Sequence, residues 1–88
     1  MNYLHWHFSS AGPDDVIQVT LDKQANVKLL DSINYQHYRQ GKQYKYHGGL
    51  ATQSPIDLRP PRQGSWYLVV DLGGYAGRVR ASAVLIKG

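Results

Sequence analysis

Apolar and polar side chains alternate along most of this chain, and a period of two predicts half-buried β-strands. The clearest case is the run 64–86. In its first half, one face carries Trp66, Leu68, Val70 and Leu72, and the other carries Tyr67, Val69 and Asp71. Residues 73–77 include three glycines and interrupt the pattern, which resumes after them. We therefore predict two strands joined by a glycine-rich hairpin turn, since glycine accepts the positive φ of such turns.

The same alternation predicts further strands at 3–8, 15–21, 25–30, 43–47 and 55–59, separated by residues that favour turns. Between them, Asp31 or Ser32 is suited to cap a short helix that Gly41 would end, although an irregular loop fits the same residues. Strands at such short intervals indicate an all-β fold. We expect a small antiparallel β-sandwich, jelly-roll-like, of about seven strands with one short helix or loop insertion, and residues 1–88 as a single domain.

The composition of the chain indicates where the protein resides and limits the kinds of chemistry it can perform. Ten lysines and arginines oppose six aspartates, with no glutamate, for a net charge of +4 that permits an anionic partner without requiring one. The absence of cysteine excludes disulfides, zinc–thiolate sites and cysteine nucleophiles, and it favours a cytoplasmic location. The first residues do not resemble a signal peptide, and no apolar run approaches the ~20 residues of a membrane-spanning helix. We expect no membrane association.

The segment 35–47 holds the densest set of groups able to bind a ligand. It contains tyrosines, histidines, lysines and an arginine but no acid. Rings offer stacking surfaces for bases or sugars, and cations attract phosphate. We predict ligand-binding roles for Tyr35, His37, Tyr38, Arg39, Tyr44, Lys45, Tyr46 and His47. In the alternative interpretation Tyr44 and Tyr46 belong to the core, beside lysines on a solvated strand edge.

Two arginines follow the glycine-rich turn. Arg78 and Arg80 are two residues apart, so on a strand they share a face and would clamp a phosphate or carboxylate. Asp71 on the adjoining strand is the expected internal partner of one of them. No helix is predicted after the glycines, which excludes a phosphate-binding loop of the P-loop or dinucleotide type. The turn interpretation of the glycines is favoured over an anion nest.

His5 and His7 are the candidates for metal binding. They share one strand face, as metal-binding His-x-His pairs do, but a metal site needs further ligands that the chain does not obviously supply. A polar outer strand face is the favoured interpretation. Catalytic groupings are poor, because the aspartates are scattered and no serine has a nucleophile-elbow context. We therefore expect neither an enzyme nor a cofactor, and keep a small metal-dependent enzyme using His5 and His7 as an alternative.

The order and spacing of several motifs resemble a known family. They are a Leu-His-aromatic start at residue 4, Ala-Asn-Val at 25–27, Asp-Ser-x-Asn-Tyr-x-x-Tyr at 31–38, and a C-terminal block containing Trp66, Asp71-Leu72, Gly74-Tyr75 and Gly77-Arg-Val-Arg. Together they resemble the bacterial family called domain of unknown function 1883, over essentially the whole chain.

The resemblance implies a compact β-sandwich without accepted catalytic residues. Some members are joined to TIR domains, which implies a sensing or interaction role in bacterial signalling or defence. Relatives often carry histidine near the Trp66 strand, where this chain has Ser65 and Tyr67, so no metal site is expected there.

These observations favour a non-enzymatic binding module. The predicted surface consists of the eight residues of the segment 35–47 named above, together with Arg78 and Arg80. Its partner would be a small anionic, nucleotide-like ligand or another protein, and the alternative partner is single-stranded nucleic acid. Exposed strand edges in so small a sandwich also favour a homo-oligomer.

Overall fold

The computed structural model describes residues 3–88, so the first two residues of the predicted domain lie outside it. The described part contains seven strands and one helix: β1 (Leu4–Ala11), β2 (Val16–Leu21), β3 (Ala25–Asp31), α1 (Ser32–Arg39), β4 (His47–Ala51), β5 (Ile56–Leu58), β6 (Gly64–Asp71) and β7 (Ala81–Ile86). The strands form two antiparallel sheets, ordered β1-β6-β3-β4 and β5-β2-β7. The predicted antiparallel β-sandwich with one short helix is confirmed. None of the helical structure in residues 3–88 has the length and hydrophobicity needed to cross a bilayer.

The main core lies between the two sheets. It is built from alternate residues of the predicted strands, among them Ile17, Val19, Val27, Leu29, Trp66, Leu68 and Val70. Trp6, Phe8, Ala83 and Leu85 pack against it from the edge strands. The alternation in the sequence therefore identified the inward faces correctly.

The larger sheet is buried on its other face as well. There α1 covers β3 and β6, and Leu30, Val69, Tyr35 and Tyr38 form a second buried cluster. The molecule consequently has three layers: the smaller sheet, the larger sheet and the helix. Alternation predicted that β6 would be only half buried, which was wrong.

Helix α1 begins and ends where the sequence predicts. The Asp31 carboxylate accepts a hydrogen bond from the backbone N–H of Asn34 (2.8 Å), so Asp31 rather than Ser32 is the N-cap. At the other end Gly41 has a φ of 73°, and its N–H and that of Lys42 donate to carbonyls of the last turn. The residues form a helix and not the irregular loop of the alternative interpretation.

Of the strand predicted at 43–47, residues 43–46 are not in a strand. The strand β4 instead starts at His47 and includes Gly48 and Gly49, which the sequence suggested would break it. Gly48 has a φ of 115° and pairs with Lys28. A Cβ at this position would lie 2.3 Å from the carbonyl oxygen of Val27, so the close approach of the β3 backbone requires glycine.

The predicted hairpin between β6 and β7 is also wrong. β6 pairs with β1 and β3, whereas β7 pairs with β2 in the other sheet. Residues 73–77 therefore carry the chain from one sheet to the other. Gly73, Gly74 and Gly77 do have positive φ angles, as expected of a tight change of direction.

Candidate functional site

Tyr44, Lys45, Tyr46 and His47 line one wall of a surface concavity of about 530 Å³, which we call the aromatic groove. The remaining lining residues come from β3, the start of α1, the turn before β6 and β6 itself. They are Leu29, Asp31, Asn34, Arg62 and Trp66. Four of the lining residues were thus candidates from the sequence. The fold brings them into one cavity with five lining residues that the sequence did not indicate.

Hydrogen bonds to α1 and β3 hold the segment 42–46 in place without strand pairing. The backbone N–H of Lys45 donates to the side-chain oxygen of Asn34 (2.8 Å), in the first turn of the helix. The Lys28 ammonium donates to the Tyr44 hydroxyl (2.8 Å). The Asn34 side chain also donates to the Asp31 cap (2.9 Å), so the first turn of α1 positions the groove wall.

The opposite wall is built around Trp66. Its indole is 1% exposed, and its Nε1–H donates to the backbone carbonyl of Arg62 (3.0 Å). The Arg62 guanidinium lies over the indole ring, 4.9 Å from its centroid, and the His47 ring meets the indole edge-on at 5.9 Å. The turn 60–63 thus places the Arg62 guanidinium against the Trp66 ring in this wall.

The charges of the groove leave one cation uncompensated. Arg62 pairs with Asp31 at 3.0 Å, and although burial opposes ionisation, hydrogen bonds from Asn34 and Arg62 lower the pKa of Asp31. Asp31 is therefore ionised at neutral pH and balances Arg62. Within residues 3–88, no hydrogen bond or ion pair engages the Lys45 ammonium.

A shallower depression of about 800 Å³ continues from the groove along α1. It is lined by Asn34, His37, Gln43, Tyr44 and Lys45, so it shares three residues with the groove. His37 therefore belongs to this surface, as predicted from the sequence. The combined surface is longer than the groove alone.

Tyr35 and Tyr38 do not belong to this surface, and their predicted exposure was wrong. Both rings are buried between α1 and the larger sheet. The Tyr35 ring stacks on Tyr67 with centroids 4.1 Å apart, and burial raises the pKa of its hydroxyl to about 12. Arg39 is exposed and its guanidinium lies 5.8 Å from the Tyr35 ring, so it covers the helix rather than lining the groove.

Arg78 and Arg80 do not join the groove either. Arg78 lines a separate pocket beside the end of β6, and the backbone N–H of Arg80 donates to Asp22. The predicted pairing of Asp71 with one of them is wrong, because Asp71 is buried and pairs with Lys28.

A family model described as a domain of unknown function, DUF1883, matches residues 1–87. The chain belongs to this family. No curated protein and no solved structure matches the chain. Because the match covers nearly all of the sequence, the groove and the separate pocket both lie within the DUF1883 domain.

A buried polar network joins the layers of this DUF1883 domain. The Asp71 carboxylate accepts hydrogen bonds from the Asn26 side chain (2.9 Å), the Gly73 N–H (2.9 Å), the Lys28 ammonium (3.1 Å) and the Tyr38 hydroxyl (2.6 Å). Burial opposes its ionisation, but the bonds from Tyr38, Asn26 and Lys28 outweigh burial and lower the pKa of Asp71. Both oxygens are fully engaged, so this carboxylate acts as a structural anchor.

Lys28 is the cation of that network and reaches the groove. Its ammonium lies 5.2, 5.3 and 5.6 Å from the ring centroids of Tyr38, Tyr44 and Tyr46. Burial opposes its charge, yet hydrogen bonds to Tyr44 and Asp71 raise the pKa of Lys28. The available sequence signal of a buried partner was a lysine between apolar residues, in Asn-Val-Lys-Leu-Leu.

The candidate metal ligands in this DUF1883 domain are exposed on β1. His5 and His7 share a face as predicted, and the His7 ring stacks on Tyr67 and forms a hydrogen bond with the Ser65 hydroxyl at 2.7 Å. Within residues 3–88, no three histidine, aspartate or glutamate side chains are grouped closely enough to hold a metal ion.

Proposed function

We propose that this domain is a non-enzymatic binding module whose aromatic groove holds a small anionic, nucleotide-like ligand. The observation that carries the proposal is the convergence of Tyr44, Lys45, Tyr46 and His47 with Arg62 and Trp66 on one concavity. The proposed setting is a cytoplasmic sensing role in bacterial signalling or defence. In that setting, ligand binding would be reported to a neighbouring domain or protein.

The groove supplies the two kinds of contact that such a ligand needs. The Tyr46 ring is 44% exposed and offers a face on which a base can stack. The Lys45 ammonium is uncompensated and available to a phosphate, and Arg62 lies on the facing wall. A volume of about 530 Å³ falls in the usual range of small-molecule sites, which is roughly 300–1,000 Å³.

The test is a titration with adenosine monophosphate (AMP), followed by amide chemical shifts and calorimetry. We expect shifts at the amides of residues 44–47 and 62–66. Lys45→Ala should weaken binding about tenfold, the loss of one hydrogen bond to a charged group. Lys42→Ala is the matched control, because it removes the same charge from the same segment outside the groove and should leave the affinity unchanged. Tyr46→Ala should also weaken binding about tenfold through lost stacking.

Equal effects of Lys45→Ala and Lys42→Ala would contradict the proposal, since they would show attraction to net charge rather than to a site. The neighbouring depression favours one alternative, because it lengthens the surface beyond a mononucleotide. If AMP causes no shifts while a short oligonucleotide binds with an affinity that falls steeply with salt, single-stranded nucleic acid is the ligand.

A further inference from the structure

A second cavity of about 550 Å³, which we call the arginine pocket, lies where β6 ends and the chain crosses to the other sheet. The apolar part of its lining comes from Leu4, Leu72 and Val79 and from the rings of Tyr3 and Tyr75. It shares no lining residue with the aromatic groove. A site proposed here therefore does not rest on the function proposed above.

Only two lining residues of the arginine pocket carry a charge, and one of them is neutralised. The Asp71 side chain has no exposed surface and is paired with Lys28, with all its hydrogen bonds made inside the protein. The Arg78 guanidinium is exposed, and no hydrogen bond or ion pair among residues 3–88 engages it. The pocket thus combines apolar walls with one unpaired, fork-shaped donor.

A second cation lies next to the pocket. A Cβ built on Gly77, a lining residue, would be 3.5 Å from the Lys23 ammonium, and no contact within the described chain pairs that ammonium with an acid. Positive charge beside the apolar walls therefore comes from two separate parts of the chain. Such a site attracts an anion that also has an apolar body.

Two hydrogen bonds from backbone N–H groups brace the turn that forms the outer wall. The N–H of Gly73 donates to the Asp71 carboxylate, and the N–H of Tyr75 donates to the carbonyl of Leu72 (3.1 Å). This turn leaves Tyr75 84% exposed beside Arg78. A large aromatic side chain so exposed next to an unpaired cation offers contact area for a ligand.

We propose that the arginine pocket binds a small apolar monocarboxylate. The apolar body would lie against the aliphatic wall and the tyrosine rings, and the carboxylate would accept two parallel hydrogen bonds from the Arg78 guanidinium. This ligand class differs from the nucleotide proposed for the aromatic groove.

The experiment is a titration of the labelled domain with 3-phenylpropionate, followed by amide chemical shifts. We expect shifts at residues 3–4 and 72–79 and none at 44–47. Arg78→Gln should weaken binding about tenfold, as expected for a lost hydrogen bond to a charged group. Arg80→Gln is the matched control, because it removes the same charge two residues away, outside the pocket lining.

A second comparison keeps the ligand's apolar body and removes its charge. The neutral 3-phenylpropanamide should bind the wild-type domain about tenfold more weakly than the acid does. The Arg78→Gln variant should bind the amide and the acid equally well. The proposal is overturned if acid and amide bind alike, if Arg80→Gln acts as strongly as Arg78→Gln, or if the shifts fall in the aromatic groove. Absence of any shift up to about 10 mM acid also overturns it, because a site weaker than that has no specific affinity.

Discussion

The carboxylate of Asp71 is buried together with a lysine, a tyrosine hydroxyl and an amide that all donate to it. Taking such a group out of water is unfavourable unless every donor and acceptor is paired. Among the described residues, no buried side-chain nitrogen or oxygen is left without a hydrogen bond. Each donor to Asp71 is therefore needed, and removing one leaves a charge partly unsatisfied.

Tyr38→Phe tests whether a single donor to Asp71 is needed, because it removes only the hydroxyl. The ring and its packing remain, but the 2.6 Å bond to Asp71 is lost. We expect the free energy of unfolding to fall by about 2 kcal/mol, as for a hydrogen bond to a charged group. Urea denaturation measures this as a lower midpoint at an unchanged slope.

Tyr75→Phe is the matched control, because its ring is 84% exposed. It should change the stability by less than about 0.5 kcal/mol. Similar losses in the two variants would show that the Tyr38 hydroxyl contributes nothing specific.

At this scale the sequence predicted which residues share a face, but not what covers each face. Val69 and Asp71 were correctly placed opposite Trp66 and Leu68. Their burial depends on α1, and a period of two contains no information about a third layer. The same limit explains why Tyr35 was expected at the surface, whereas it is stacked on Tyr67.

Single elements show how local signals succeed or fail. Of the two alternatives left open, helix or loop, the structure contains the helix, and its ends were placed correctly because Asp31 and Gly41 are cap signals that act within a few residues of their own position. β4 was missed because glycines were interpreted as strand breakers. In this strand Gly48 allows a close approach to β3, and that approach is a tertiary contact that the local sequence does not encode.

Gly48→Ala tests that contact. The added methyl group would collide with the Val27 carbonyl oxygen, at a φ that L-residues rarely adopt. We expect a loss of stability of at least about 2 kcal/mol, from backbone strain and the clash together. Thermal unfolding of the variant and the wild type, followed by circular dichroism, measures this loss.

Gly64→Ala provides the reference for that experiment. Gly64 is also a strand glycine, but it has ordinary φ, and an added Cβ would have no atom within 4 Å. Its effect should stay within about 0.5 kcal/mol. If Gly48→Ala were equally mild, the close approach would not require glycine.

At the scale of the whole molecule, the sequence could not predict which strands pair. β6 and β7 follow each other along the chain and are separated by glycines, which is the signature of a hairpin. The fold instead pairs β6 with β1 and β3, and β7 with β2. The aromatic groove likewise combines residues from β3, α1, β4 and β6, so Arg62 and Trp66 were not linked in advance to Tyr44.

The Lys28–Asp71 pair predicts a stability that depends on pH. The lowered pKa of Asp71 means that its contribution is present above the unfolded pKa, about 3.9, and is lost as pH falls through the folded value. The raised pKa of Lys28 means that its contribution is present below about 10.4 and is lost as pH rises through the folded value. The pair therefore stabilises the fold across the neutral range.

Asp71→Asn isolates this contribution, because the other aspartates titrate in both proteins. The stability difference between wild type and variant should be constant from about pH 5 to 9 and shrink below about pH 4. Urea midpoints across this range give the difference. If Asp71→Asn does not fold, Tyr38→Phe serves the same purpose, since its lost bond matters most while Asp71 is ionised. A difference that persists unchanged at low pH would show that the charge of Asp71 is not the stabilising feature.

The arginine pocket is lined by residues from opposite ends of the described chain, at 3–4 and 70–79. During synthesis, β1 leaves the ribosome before β6, the strand with which it pairs. A nascent chain that ends before Val79 lacks part of the pocket wall. A compound that occupies this pocket would therefore bind the folded protein and not a chain whose synthesis has not yet reached the end of the pocket wall.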